Sequence, residues 1–261
     1  MPKFFIERDN ISLETTGKKL ITFTGEEAYH LSTVLRMKPG AVVTATDGQG
    51  VVYYLELTEV NSTTVCGEVL RETRDHSEPT LRITLLQSIL KGEKMDWVLQ
   101  KGTEIGISAF IPFLSARTVA RPEPKHYRRK QERWQKIVAE AAKQSGRGII
   151  PTVNPITPWA RLAKILSHQY VIVAWEEEKS LSLRTALAGR EQPAEVFLII
   201  GPEGGLAEEE VEELSAWGAL PVSLGPRILR AETAGPVTAA LILYHFGELE
   251  PIPSTFLSSG E

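Results

Sequence analysis

Cysteine is nearly absent: Cys66 is the only one in 261 residues. No intrachain disulfide can form, and a cysteine-based zinc site is excluded. His30, His76, His126, His168 and His245 show no ligand spacing, so no metal is implied. No apolar run reaches the roughly 18 residues that suggest a membrane span. The opening Met1-Pro2-Lys3-Phe4-Phe5 turns polar too soon for a secretory signal, which predicts a reducing cytoplasm and no membrane. Two phosphate-binding signatures are missing as well. Gly201 to Gly205 lacks the GxGxxG spacing of a dinucleotide fold, and no Gly-Lys-Ser/Thr follows to supply a phosphate lysine and a magnesium hydroxyl. Glu208, Glu209 and Glu210 suit a helix N-terminus but would repel a phosphate there. A nucleotide-dependent α/β enzyme fails on these absences, and a neutral or cationic ligand is expected.

What is present is a pair of glycine loops, each after a strand and before a helix, where open α/β sheets bind ligands. Val196-Phe197-Leu198-Ile199-Ile200 reads as a buried strand. Gly201-Pro202-Glu203-Gly204-Gly205 follows it, then an acidic amphipathic helix over residues 207–218. Val222-Ser223-Leu224 leads into Gly225-Pro226-Arg227-Ile228-Leu229-Arg230-Ala231-Glu232-Thr233-Ala234-Gly235, and an apolar helix runs on to about Phe246. Glycines in one such loop can serve only as turns with positive φ. Two loops, with Arg230 and Glu232 inside the second, point to a ligand site.

LIIGPEGGL at 198–206 and LGPRILRAETA at 224–234 resemble the paired signatures of the SPOUT methyltransferases. More narrowly, they resemble the ribosomal small-subunit methyltransferase E family. The resemblance implies an α/β domain with a mainly parallel sheet and a deep C-terminal trefoil knot, preceded by a small PUA-like β-barrel domain. It implies that Ile200, Gly201, Pro202, Glu203, Gly204, Gly205, Leu224, Gly225, Ile228 and Leu229 hold S-adenosyl-L-methionine in a bent form. The implied reaction is methyl transfer to N3 of a uridine in 16S ribosomal RNA, by a homodimer with the cofactor site at its interface. Neutral N3 has no free lone pair, so its proton must leave. Glu232 or Glu203 is the candidate base, and Arg230 the candidate stabiliser of the uracil anion at O2 or O4. Glu232 also reads as a first-turn acid of the last helix, and Arg230 as a structural ion-pair partner. A non-catalytic RNA-binding assembly factor is the alternative, but it leaves both glycine loops without a task.

Residues 1–73 read as a β-rich domain. They hold a short strand over 3–6, a helix over 25–36 with Ala28, Leu31, Val34 and Leu35 on one side, and strands over 41–46, 51–60 and 63–71. Arg36 matches the family's helix motif as a phosphate contact. Residues 74–79 read as a linker, 80–250 as the methyltransferase domain, and 251–261 as a loose tail. Strands are expected over 81–86, 107–114 and 170–175. Helices are expected over 95–105, 125–144 and from a Thr157 cap to about Ser167. The loop with Glu176, Glu177 and Glu178 should lie near the cofactor by position. Gly102 stands where alanine is expected, and Lys143 where the family has glutamate.

The net charge of −4 argues against generic nucleic-acid binding. Yet between residues 117 and 147 ten bases face Glu123, Glu132 and Glu140 alone, a basic stripe suited to an anionic partner met at one face. The candidate contacts to 16S ribosomal RNA or the small subunit are Lys3, Arg36, Lys94, Lys101, Gln144 and Arg147.

Overall fold

The computed structural model describes residues 3–14 and 17–251. Beyond Pro251 the expected tail lies outside the described residues. Two compact units are present: Met1–Glu78 with Ala142–Ile150, and Pro79–Ala141 with Pro151–Glu261. Nothing in the sequence pattern announces that 142–150 belongs with the first unit.

The first unit contains β1 (Lys3–Phe5), β2 (Ile11–Leu13), β3 (Lys19–Thr24), α1 (Gly25–Tyr29), β4 (Val42–Thr46), β5 (Val51–Val60) and β6 (Thr64–Arg74). They form one six-stranded sheet in the order β1-β4-β5-β6-β3-β2, antiparallel except for β1 on β4. Alternation drives it: Ile21 and Phe23 of β3 and Leu55 and Leu57 of β5 point into one core with Phe4, Val43 and Val65. The turn after β4 is set by Asp47, whose Oδ1 accepts the Gln49 and Val51 amides at 2.9 and 3.2 Å.

The single helix expected over 25–36 is not one helix. α1 gives way to a π-helical turn, His30–Val34, in which Leu35 N–H donates to the His30 carbonyl at 2.9 Å. The wider turn keeps Ala28 and Leu31 in the core and swings Val34 (57% exposed) and Leu35 out to solvent. Arg36 then takes a left-handed φ of 51°, uncommon for a residue with a Cβ.

The second unit opens with β7 (Arg82–Ser88), α2 (Lys94–Ile105), β8 (Ala109–Leu114) and α3 (Tyr127–Ser145), whose last turn falls in the first unit. Next come β9 (Thr152–Val153), β10 (Thr157–Pro158), α4 (Leu162–Leu166), β11 (Val171–Ala174) and α5 (Leu183–Leu187). β12 (Glu195–Ile200), α6 (Glu208–Ala216), β13 (Leu220–Val222) and α7 (Ala231–His245) complete it. The sheet is parallel throughout, in the order β10-β8-β7-β12-β11-β13, with β9 also on β8. This is the mainly parallel α/β domain expected. Phe197 and Ile199 of β12 pack on one side with Leu162 and Leu166 of α4 and Val211 and Leu214 of α6. α7 packs on β12 and β7, with α2 against it. Both faces are thus covered, which is why Val196 to Ile200 reads as a continuous apolar run. Among the described residues, no helix is long and apolar enough to cross a membrane.

Thr157 does not cap a helix. Thr157 and Pro158 pair with Phe113 and Leu114 of β8, and the Thr157 hydroxyl donates to the Pro155 carbonyl at 3.0 Å. A 3-10 turn, Trp159–Arg161, precedes a short α4 because Trp159 is drawn onto Phe113 and Trp217 and donates to Glu213 at 2.7 Å. α5 and its Ser182 cap, which accepts the Thr185 amide at 3.1 Å, have no counterpart in the sequence reading.

Gly102 has a steric reason. A Cβ there would come within 2.8 Å of Ile107 Cδ1 and Phe110 Cε1, and both side chains are fully buried. Alanine would gain helix propensity of up to ~1 kcal/mol but overpack a closed core, at about 1–3 kcal/mol. Gly102→Ala is therefore expected to lower the urea midpoint, with an unchanged slope; a higher midpoint would show that propensity wins.

Candidate active site

Three strand-end loops converge at the C-terminal edge of the parallel sheet. Those after β11, β12 and β13 enclose a cavity of about 290 Å³. Ile200, Gly201, Pro202, Glu203 and Gly205 line it from the first glycine loop; Ile228, Leu229, Arg230 and Glu232 line it from the second. Lys94, Ala174, Glu176, Ala231 and Ala234 complete the wall. Leu224 and Gly225 lie in an adjoining cavity of about 60 Å³ with Trp175, Ser223 and Arg227. Gly204 lines neither and sits against Arg117.

The first loop is held from behind. The Gln87 Nε2 donates to the Gly201 carbonyl at 3.3 Å, and Arg117 Nη1 to the carbonyls of Gly204 and Leu206 at 3.2 and 3.3 Å. Glu210, buried in α6, accepts the Ala207 amide at 2.9 Å and the Ala116 amide at 2.6 Å, capping its helix and tying down the loop after β8. Glycine is needed at two points. A Cβ on Gly201 would meet the Leu206 amide at 3.0 Å, and Gly205 sits at φ 71° with the Glu176 carboxylate where its Cβ would be.

Charge at the cavity centres on Lys94. Its ammonium lies 3.5 Å from Glu203 Oε1 and 3.4 Å from Glu232 Oε2. Burial opposes ionisation of Glu203, but the Lys91 amide at 3.0 Å, its own amide and Lys94 outweigh it and hold the carboxyl below its ordinary value. Glu232, in the first turn of α7, is less exposed than Glu203. Its Oε2 is buried without a hydrogen bond, the Lys94 contact being electrostatic only. Arg230 caps α7 through its carbonyl, which accepts the Thr233 and Ala234 amides at 2.8 and 2.9 Å. Its exposed side chain has no acidic partner among the described residues.

Two family models match the chain: an RNA methyltransferase domain over residues 76–243 and an RNA methyltransferase PUA domain over 23–70. The ribosomal RNA small subunit methyltransferase E of Bacillus subtilis is 34% identical over 249 residues, covering 94% of this chain and 96% of that one. The chain belongs to the ribosomal RNA small subunit methyltransferase E family. The Synechocystis member is 34% identical over 224 residues, with 85% of this chain and 72% of that one covered. The Neisseria gonorrhoeae member, solved bound to S-adenosyl methionine, superposes with a TM-score of 0.80 at 30% identity, over 96% of this chain and all of that one.

The expected RNA contacts are divided between the two units. Lys94 lines the cavity, whereas Lys101 is occupied by both oxygens of Glu104 at 2.8 and 2.9 Å. In the first unit Lys3 pairs with Asp75 and donates to the Gly146 carbonyl at 2.7 Å. Arg147 is 5% exposed and turned onto Glu78 at 2.6 Å, so burial commits it to the fold of that unit rather than to a phosphate. Arg36 and Gln144 are exposed. Much of the basic stripe is likewise engaged. Arg117 and Arg121 hold backbone carbonyls, Arg133 pairs with Asp96 and Lys143 with Glu27; Lys125 and Arg128 pair with Glu123 and Glu132. Arg129, Lys130 and Lys136 are left without an acidic partner among the described residues. Gln87 and Glu210 carry no signal in sequence: the first falls just past the strand expected over 81–86, and the second reads as one helix-start acid among three.

Replacing Glu210 by glutamine removes the charge and leaves one of two buried amides facing an NH₂ group. Glu210→Gln is expected to cost about 1–3 kcal/mol in chemical denaturation. An unchanged midpoint would show that the two amides find other acceptors.

Proposed function

We propose that this chain transfers a methyl group from S-adenosyl-L-methionine to N3 of a uridine in 16S ribosomal RNA, in the cytoplasm. The observation that carries the reading is the cavity between the two glycine loops, with Glu232, Lys94 and Arg230 at its wall. The site fits the cofactor: backbone-rich walls at Gly201, Gly205, Leu224 and Gly225 would admit the adenosine and methionine parts, and no phosphate cradle competes. The buried Trp175 indole N–H, without a partner, offers a donor beside them. When bound, the cofactor supplies an electrophilic methyl group on a sulfonium. Covalent help from the protein is unnecessary; positioning and proton removal remain.

Glu232 is assigned as the base that takes the N3 proton. Its Oε2 is buried without a hydrogen bond, and the half-buried side chain stands at the cavity wall, touched by one cation. Glu203 is the weaker base because its carboxyl is held low by the Lys91 amide and Lys94. Lys94, 3.4 Å from Glu232, places a positive charge beside the base, and Arg230, at the same wall, stabilises the anion left at O2 or O4. The target base must be unpaired or turned out of its helix to enter. Arg36 on the first unit and Gln144 remain the proposed further RNA contacts, and the deep knot and the PUA-like barrel the proposed folds of residues 80–250 and 1–73.

A homodimer is part of the proposal. Val237, Leu241 and Tyr244 make an exposed stripe on α7, with Tyr244 69% exposed. Leu241 and Tyr244 border a groove of about 780 Å³ that reaches Ser223, Leu224 and Gly225 of the second glycine loop. Leu241→Glu is expected to convert dimer to monomer in light scattering and to weaken cofactor binding.

The deciding assay uses labelled S-adenosylmethionine and small subunits from cells lacking this protein, with mass spectrometry of the digested RNA. The expected product is 3-methyluridine, lost with Arg230→Ala. Glu232→Gln should lower kcat by about 10²-fold or more, and Glu203→Gln by much less; the reverse order would make Glu203 the base. Cofactor binding without transfer to any RNA would sink the substrate. Absence of cofactor binding would favour a non-catalytic assembly factor.

A further inference from the structure

We infer that Glu176 faces the sulfonium of S-adenosylmethionine and makes the site prefer the charged donor to its neutral product; this rests on the methyl-transfer reading above. The two cavities between the strand-end loops share a wall: Ala174, Glu176, Ile228, Leu229 and Ala234 line both. A donor that spans them puts adenosine toward one and the methionine part toward the other. The sulfur lies between, so the shared wall is the part of the protein it meets. Four of those five residues are apolar, and Glu176 contributes the one carboxylate.

That carboxylate is the uncommitted acid of the site. Glu203 and Glu232 share the Lys94 ammonium, whereas Glu176 has no cationic partner among the described residues. Its place depends on Gly205, since any side chain at 205 would run into it. The glycine therefore does two things: it turns the loop, and it leaves room for an acid at the seam. A carboxylate beside a fixed positive sulfur attracts it, and gains nothing from the neutral thioether left after transfer. Selective affinity for the donor follows, and with it easier departure of the product.

The test is calorimetric titration of S-adenosylmethionine and of S-adenosylhomocysteine into wild type and Glu176→Gln, which keeps shape and removes charge. The expected result is a loss of about tenfold for the methionine ligand, equivalent to ~1.4 kcal/mol. The homocysteine ligand should change by less than about twofold. An equal loss for both would put the carboxylate at the amino-acid end shared by the two ligands, and would overturn the inference. No loss for either would overturn it as well. If the wild type binds neither ligand, the methyl-transfer reading itself fails, an outcome distinct from both.

Discussion

The carbonyl groups of the first glycine loop are the constraint on which the site depends. A loop this rich in glycine has many conformations open to it, and the one present leaves a cavity beside Glu232. Three of its carbonyls are fixed by donors from elsewhere in the unit: Gly201 by Gln87, Gly204 and Leu206 by Arg117. A fourth, on Pro202, accepts the Gly205 amide at 3.0 Å within the loop. Each such bond is worth only about 1 kcal/mol net. Their value here is geometric, because they select one arrangement before any ligand arrives.

Those donors are themselves anchored. The loop after β8, which carries Arg117, is closed by a buried cluster of the Ser88, Ser115 and Thr118 hydroxyls at 2.9–3.1 Å. Arg121 ties the same loop to itself through the Ser115, Ala116 and Thr118 carbonyls. Gln87 stands at the end of β7 with its Nε2 on the Ser88 and Gly201 carbonyls, which leaves Oε1 buried and unpaired. Gly235 of α7 packs against it: a Cβ there would stand 3.3 Å from that oxygen and 3.2 Å from Leu85. The next residue, Pro236, has no amide to give the Glu232 carbonyl one turn back. The start of α7 thus lacks one bond of its own ladder and packs through Gly235 against β7.

Much of this was legible in the chain. β12 is visible because a strand covered on both faces is apolar throughout, and the two glycine loops because each follows such a strand and precedes a helix. The cavity brings most of those loop residues together. What was hidden shares one cause: it depends on partners far away in sequence. Arg147 reads in sequence as an RNA contact and Lys143 as part of the basic stripe, but Glu78 and Glu27 pair with them. The three acids counted against the basic stripe were the local ones; Asp96, Glu27 and Glu78 come from other segments. The π-helical turn after α1 has residues of ordinary helical types, with Leu31 its one buried residue, so the sequence does not separate it from α1.

Charge at the cavity explains why glycine loops after parallel strands need not mean phosphate. Glu176, Glu203 and Glu232 line it against Lys94 and Arg230. Formally the wall is acidic by one charge, and Lys94 is already shared between two carboxylates. A phosphate would meet repulsion there. A cationic ligand removes the excess. The α6 acids extend the same sign beyond the first loop, with Glu208 and Glu209 exposed. Net charge does not decide whether such a chain meets RNA. Local separation of charge matters more: the cavity wall is acidic, whereas Arg129 and Lys136 of the same unit are exposed bases without an acidic partner among the described residues.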